Sequence, residues 1–79
     1  MFNEKALAMV VRARRLQLNY TQEYVAFKLN LSQNAYSKLE LGNTTISVSR
    51  LFELCEALEI DALELLRPFS PPRVAAIAV

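Results

Sequence analysis

Apolar residues recur along the chain at three- and four-residue spacing, the period of helices that bury one face. Leu7, Val11 and Leu18 fall on one side of a segment predicted to be helical from about Glu4 to Leu18. Two short helices are predicted in TQEYVAFKLNLSQNAYSKLE, from Thr21 to Glu40, ending at Leu29 and at about Leu41. A fourth is capped by Ser47 and runs to about Glu59, with Leu51, Leu54, Cys55 and Leu58 as its buried stripe. A fifth starts at Asp61 and is stopped by Pro68.

The residues between these segments support the same division. Thr21, Ser32, Ser47 and Asp61 each place a side-chain oxygen where it can cap free N–H groups at a helix start. An apolar residue precedes each cap and another follows four positions after it: Tyr20 with Val25, Leu31 with Tyr36, Ile46 with Leu51, Ile60 with Leu65. That is hydrophobic-staple spacing, and Glu64 stands where it could complete a capping box with Asp61. Asn19, Asn30 and the single glycine, Gly42, are suited to left-handed turns at helix ends. The predicted fold is therefore all-α, a compact five-helix bundle over residues 1–67. Residues 68–79, PFSPPRVAAIAV, form a Pro-containing apolar tail.

Composition narrows the function. Seventy-nine residues allow one domain, and 53% apolar content argues against disorder over most of it. So small a core is usually marginal alone, which favours a second subunit. A single cysteine permits no internal disulfide and fits a reducing cytoplasm, while the absence of His removes the usual zinc ligand and the commonest general base. No catalytic constellation, metal site or cofactor is expected, and Cys55 reads as core. No run reaches the ~20 apolar residues of a membrane span. Net charge is +1, but Met1–Leu39 carries +4 and Glu40–Val79 carries −3, so the first half is the one suited to phosphates.

The pair of short helices is a helix-turn-helix pattern, with Ala26 small enough to allow a close crossing. On a helical wheel Tyr36, Leu39, Ala35 and Glu40 turn inward, while Gln33, Asn34, Ser37, Lys38 and Leu41 turn outward. Amides can bond bidentately to adenine, lysine can reach guanine, and serine can serve a base or a phosphate. Gln33, Asn34, Ser37 and Lys38 are thus the candidate base-reading residues of a helix in a DNA major groove. A solvated helix face would also be polar. Gln22 and Thr21, at the start of the second helix, and Asn43, in the polar turn GNTTIS, are candidates for phosphate contact. Arg12 and Arg14 read as a solvated or phosphate-facing pair. Arg15 and Glu40 are placed for an ion pair between the first and third helices.

With those residues assembled, the chain resembles the Cro/repressor-type, or XRE-like, helix-turn-helix family from about Val10 to Leu66. The resemblance is carried by Arg15, Thr21-Gln22, Val25-Ala26, Leu29, Leu31-Ser32, Tyr36-Ser37, Leu39-Glu40, Gly42 and the run Ala57-Leu58 through Leu65-Leu66. It implies a five-helix transcriptional regulator in which the residue matching Gln22 contacts phosphate. Those matching Gln33, Asn34, Ser37 and Lys38 would face the major groove, and the Arg15–Glu40 pair is a recurrent family feature. Asn19 and Asn30 depart from the glycines usual at their turns.

The expected partner is double-stranded DNA, read by a homodimer on a near-palindromic operator, in a bacterial or phage-encoded protein of the cytoplasm and nucleoid. Leu63, Leu66, Phe69, Val74 and Ile77 are the candidate dimer contacts, with the tail as a candidate arm. The tail could instead pair as a strand, pack over the fourth and fifth helices, or stay disordered. The alternative function is a protein-interaction module, such as an antitoxin or adaptor, using Tyr24 and Phe27, which lie off the second helix's buried stripe.

Overall fold

The computed structural model describes residues 3–70. Five helices follow one another: α1 (Glu4–Gln17), α2 (Gln22–Lys28), α3 (Gln33–Glu40), α4 (Val48–Ala57) and α5 (Ala62–Leu66). A single 3-10 turn, Arg67–Phe69, completes the described chain.

Three connections share one local design: Leu18-Asn19-Tyr20-Thr21, Leu29-Asn30-Leu31-Ser32 and Leu58-Glu59-Ile60-Asp61. The second residue of each adopts positive φ, 60° at Asn19, 58° at Asn30 and 55° at Glu59. The third then turns its N–H back to the preceding helix: Tyr20 to the Arg15 carbonyl at 3.1 Å, Leu31 to Ala26 at 2.9 Å, Ile60 to Cys55 at 3.0 Å. This is the Schellman closure, which satisfies carbonyls the helix end would leave bare. The same third residue packs against the core at the start of the next helix. One apolar side chain thus closes one helix and seats the following one, so consecutive helices must pack together.

Thr21 Oγ1 accepts from the Tyr24 N–H at 3.0 Å, Ser32 Oγ from Ala35 at 3.1 Å and Ser47 Oγ from Arg50 at 3.0 Å. Asn3 caps α1 in the same way, accepting from Ala6 at 2.8 Å. Each helix contributes at least one side chain to the sealed centre: Val11, Val25, Tyr36, Leu54 and Leu65 are buried. Such side chains stabilise a fold by about 1.5–3 kcal/mol each.

Several expectations need correction. The Asp61 side chain makes no cap hydrogen bond, and Glu64 instead pairs with Arg67 at 2.8 Å, so the capping box does not form. Helix α5 does end ahead of Pro68, whose missing N–H could not have continued it. The helix ends at Leu66 and the chain passes through Pro68 as a 3-10 turn, which a proline at its first or second position permits. Helix α4 ends at Ala57 rather than near Glu59, because Glu59 is the left-handed residue of the closure. Val74 and Ile77, with the rest of the tail from Pro71, lie outside the described residues.

Gly42 is constrained twice. Its φ is 79°, and a Cβ there would stand 2.8 Å from the Lys5 Cα of α1. A Gly42→Ala variant should lose roughly 2 kcal/mol or more, since left-handed geometry alone costs about 1–2 kcal/mol for an L-residue and the helix backbone cannot yield cheaply. Urea unfolding checks this. An unchanged midpoint would mean that α1 and the α3–α4 turn are not held this close.

Candidate nucleic-acid interface

The site is built on the crossing of α2 and α3. Val25 and Ala26 face Tyr36 and Leu39 within one buried cluster, and the 2% exposure of Ala26 reflects the close approach its small side chain allows. With that face sealed, the opposite side of α3 is turned outward. Gln33, Asn34 and Lys38 are exposed, Leu41 is exposed, and Ser37 is half-buried at the α2 edge. Ala35, Tyr36, Leu39 and Glu40 lie toward the bundle, the last three fully buried.

Beneath this face lies a buried polar network. Arg15 Nε donates to Glu40 Oε2 at 2.6 Å, Arg15 Nη2 donates to Oε1 at 3.0 Å, and Arg15 Nη1 donates to the Tyr20 carbonyl at 2.7 Å. Gln22 Nε2 donates to Glu40 Oε1 at 3.0 Å, and Ser37 Oγ donates to Gln22 Oε1 at 2.6 Å. The ion pair is nearly dry, with side-chain exposures of 8% and 2%. Burial pushes the Glu40 carboxyl up, but the Arg15 guanidinium, the Tyr36 hydroxyl and the Gln22 amide outweigh it and hold the carboxyl below its ordinary range. Arg15 is raised, chiefly by its hydrogen bond to Glu40. Burial, then the neighbouring carboxylate, raises the Tyr36 hydroxyl, which feels that charge but lies outside hydrogen-bond geometry.

The other predicted residues are distributed unevenly. Thr21 is exposed and spends one lone pair on its cap, leaving the hydroxyl proton for a ligand. Asn43 and Arg12 are exposed. Arg14 is not set out toward phosphate. Its Nε donates to the Leu58 carbonyl at 3.0 Å and its Nη2 to the Glu59 carbonyl at 2.8 Å, so its charge caps the C-terminus of α4. The adjacent left-handed residue is tied as well, with the Tyr20 hydroxyl donating to the Glu59 carboxylate. That bond leads the effects that push the Tyr20 hydroxyl up to about 12. Of the candidate dimer contacts, Leu63 is 78% exposed, whereas Leu66 and Phe69 are half-buried against the core.

Some residues at this face left no mark in the spacing. Thr44, Thr45 and Arg50, with the already marked cap Ser47, join Asn34 and Lys38 around a groove of about 460 Å³ beside α3, formed where the α3–α4 turn folds back. The link from Gln22 to Ser37 crosses between helices, and no periodicity within either helix reveals it. Tyr24 is exposed, its ring tilted against that of Tyr20 with centroids 4.6 Å apart and Lys28 Nζ 5.5 Å from its own centroid. Phe27 is 79% exposed. Among the described residues no helix is long and apolar enough to cross a membrane.

A short turn, a sealed α2–α3 crossing and an outward polar α3 define a helix-turn-helix DNA-binding domain. The comparisons agree. Residues 11–65 match the family described as helix-turn-helix, and the chain belongs to that XRE-type family of DNA-binding regulators. The structure is similar to that of the clp gene regulator ClgR from C. glutamicum, with a TM-score of 0.79 and 25% identity over 85% of this chain and 87% of that one. It is also similar in fold to ComR from Streptococcus suis, with a TM-score of 0.73 and 22% identity, covering 99% of this chain and 26% of ComR. No curated protein sequence matches it significantly.

The buried pair predicts a pH dependence. Glu40 ionises more readily folded than unfolded, so its contribution is fully present above its ordinary value of 4.5 and is lost as pH falls through the lower folded value. Stability of the native chain should therefore decline below about pH 4.5, and Glu40→Gln should flatten that decline. Matching acid limbs in the two proteins would contradict it. Arg15→Ala, which strands the carboxylate, should cost about 3–5 kcal/mol in denaturant unfolding.

Proposed function

We propose that this protein is a sequence-specific transcriptional regulator that binds double-stranded DNA as a homodimer. Each protomer lays α3 in the major groove of one half of a near-palindromic operator. The observation that carries this reading is the row Gln33, Asn34 and Lys38, exposed on a helix whose other face is sealed by Tyr36, Leu39 and Glu40. Gln33 and Asn34 stand in the first turn of α3, the part of a recognition helix that reaches deepest. Thr21, Gln22, Arg12 and Asn43 take phosphates around it. The description of ClgR as a gene regulator supports the same role.

Dimerisation through Leu63, Leu66 and Phe69, with Val74 and Ile77 of the tail as further contacts, would space two α3 helices by about 34 Å, one turn of DNA. Exposed apolar area at Leu63 supports this placement. The protein acts in the cytoplasm, on the nucleoid of a bacterium or on phage DNA.

Selection from random duplexes, followed by footprinting, should return two half-sites about one helical turn apart. A single asymmetric site, or no enriched sequence, would count against the proposal. Asn34→Ala should relax preference at one base pair. Arg12→Ala should weaken all duplexes alike and lower the salt slope by about one unit. Arg14→Ala should instead lower thermal stability and leave the slope unchanged, because its guanidinium is spent on α4 carbonyls. Equal slopes for the Arg12 variant and the native chain would remove Arg12 from the interface.

The exposure of Phe27 favours one second reading, a protein-binding role for the outer side of α2. A partner that copurifies after DNA digestion and is lost in Phe27→Ser would support it, and an unchanged set of copurifying proteins would oppose it.

A further inference from the structure

The Gln22 amide has only one productive orientation. Glu40, ionised and paired with Arg15, offers lone pairs alone, so the group facing it at 3.0 Å is the Gln22 NH2. The carbonyl of the same amide therefore faces Ser37, whose Oγ lies 2.6 Å away. A carbonyl can only accept, so Ser37 gives it the single hydroxyl proton. What Ser37 retains for a ligand is lone pairs. The choice is forced at every step, from buried Arg15 through Glu40 and Gln22 to the edge of the outward face. The neighbours on that face differ: the amides of Gln33 and Asn34 carry donors and acceptors, and Lys38 only donates. Ser37 is the acceptor-only position among them.

We infer that Ser37 is a specificity-determining residue, set by Gln22 to accept a hydrogen bond from a base amino group, so that it selects adenine or cytosine over guanine or thymine. In the major groove adenine shows its 6-amino group and cytosine its 4-amino group, whereas guanine and thymine show carbonyl oxygens at the corresponding places. Against those oxygens the remaining lone pairs of Ser37 would repel. Each base pair has its amino group on one strand only, so Ser37 fixes the orientation of the pair it touches. Gln22 acts here as a positioning residue. This inference rests on the DNA-reading function proposed above.

The test starts from the selected duplex and the full chain. Ser37→Ala identifies the base pair whose preference it relaxes, and the native site should hold that pair in one orientation, with its adenine or cytosine always on the same strand. Replacing that adenine or cytosine with the same ring lacking the amino group should weaken native binding roughly three- to tenfold, the range of one neutral hydrogen bond, and leave the Ser37→Ala variant unaffected. Gln22→Lys keeps a donor for Glu40 but offers Ser37 no acceptor. The freed hydroxyl proton should then shift the preference at that position toward guanine or thymine. Because the shift is read as a ratio between duplexes, the added charge cancels. Unchanged native binding when that pair's amino group is removed, a Ser37→Ala variant that relaxes no position, or an unmoved preference in a folded Gln22→Lys variant would overturn the inference. Failure of the selection to enrich any sequence would instead overturn DNA reading itself.

Discussion

The arrangement depends on where Arg15 meets Glu40. A guanidinium from α1 and a carboxylate from the last turn of α3 share two hydrogen bonds inside the bundle, and the same guanidinium holds the Tyr20 carbonyl in the α1–α2 turn. Gln22 at the start of α2 completes the junction. Three helices are therefore referenced to one point. Apolar packing alone is tolerant of small rotations, because Val25 and Leu39 have no directional preference. A bidentate pair is not tolerant, since both its bonds fail together when α3 turns about its axis. Removing such charges from water is costly, and the pair need not add net stability. What it supplies is the rotational setting of α3, which decides which side chains face outward.

That setting connects folding to the makeup of the outward face. The residues that seal α3 and those that present its outward face alternate along one helix of eight residues, Gln33–Glu40, so an error in rotation would bury an amide or expose Tyr36. The short connections work to the same end. With Asn30 left-handed and Leu31 serving both helices, α2 and α3 have little freedom in relative angle. The corner on the far side, where Arg14 caps α4 and Tyr20 holds Glu59, fixes the end of α4 against α1. Basic side chains of α1 thus divide their work, with Arg14 and Arg15 structural and Arg12 left exposed.

Most of the fold was legible because its signals are local. Caps at Thr21, Ser32 and Ser47, the left-handed Asn19, Asn30 and Gly42, and the stripes at three- and four-residue spacing each depend on neighbours in sequence. The structure departs from those signals where a residue's choice among partners, near or distant, decided the outcome. Glu59 has no intrinsic preference for positive φ; its conformation is required by the closure onto Cys55 and sits beside Arg14 and Tyr20 from α1 and its turn. Arg14 reads as surface from its position on α1, and only the approach of the α4 C-terminus changes that. Glu64 was available to Arg67, three residues on, as readily as to its own helix start. On α3 the outward residues were readable from the wheel, whereas the Gln22–Ser37 bond and the groove walled by Thr44, Thr45 and Arg50 needed the assembled bundle.

The most direct test of the account is a map of backbone amide chemical shifts as a selected duplex is added to the labelled protein. The largest changes should fall on Thr21 and Gln22 and on Gln33 to Lys38, with smaller ones at Asn43 to Thr45 and none confined to Leu63–Phe69. Changes concentrated on Tyr24 and Phe27, or on α5, with α3 unmoved, would show that the outward face of α3 is not the surface this protein uses.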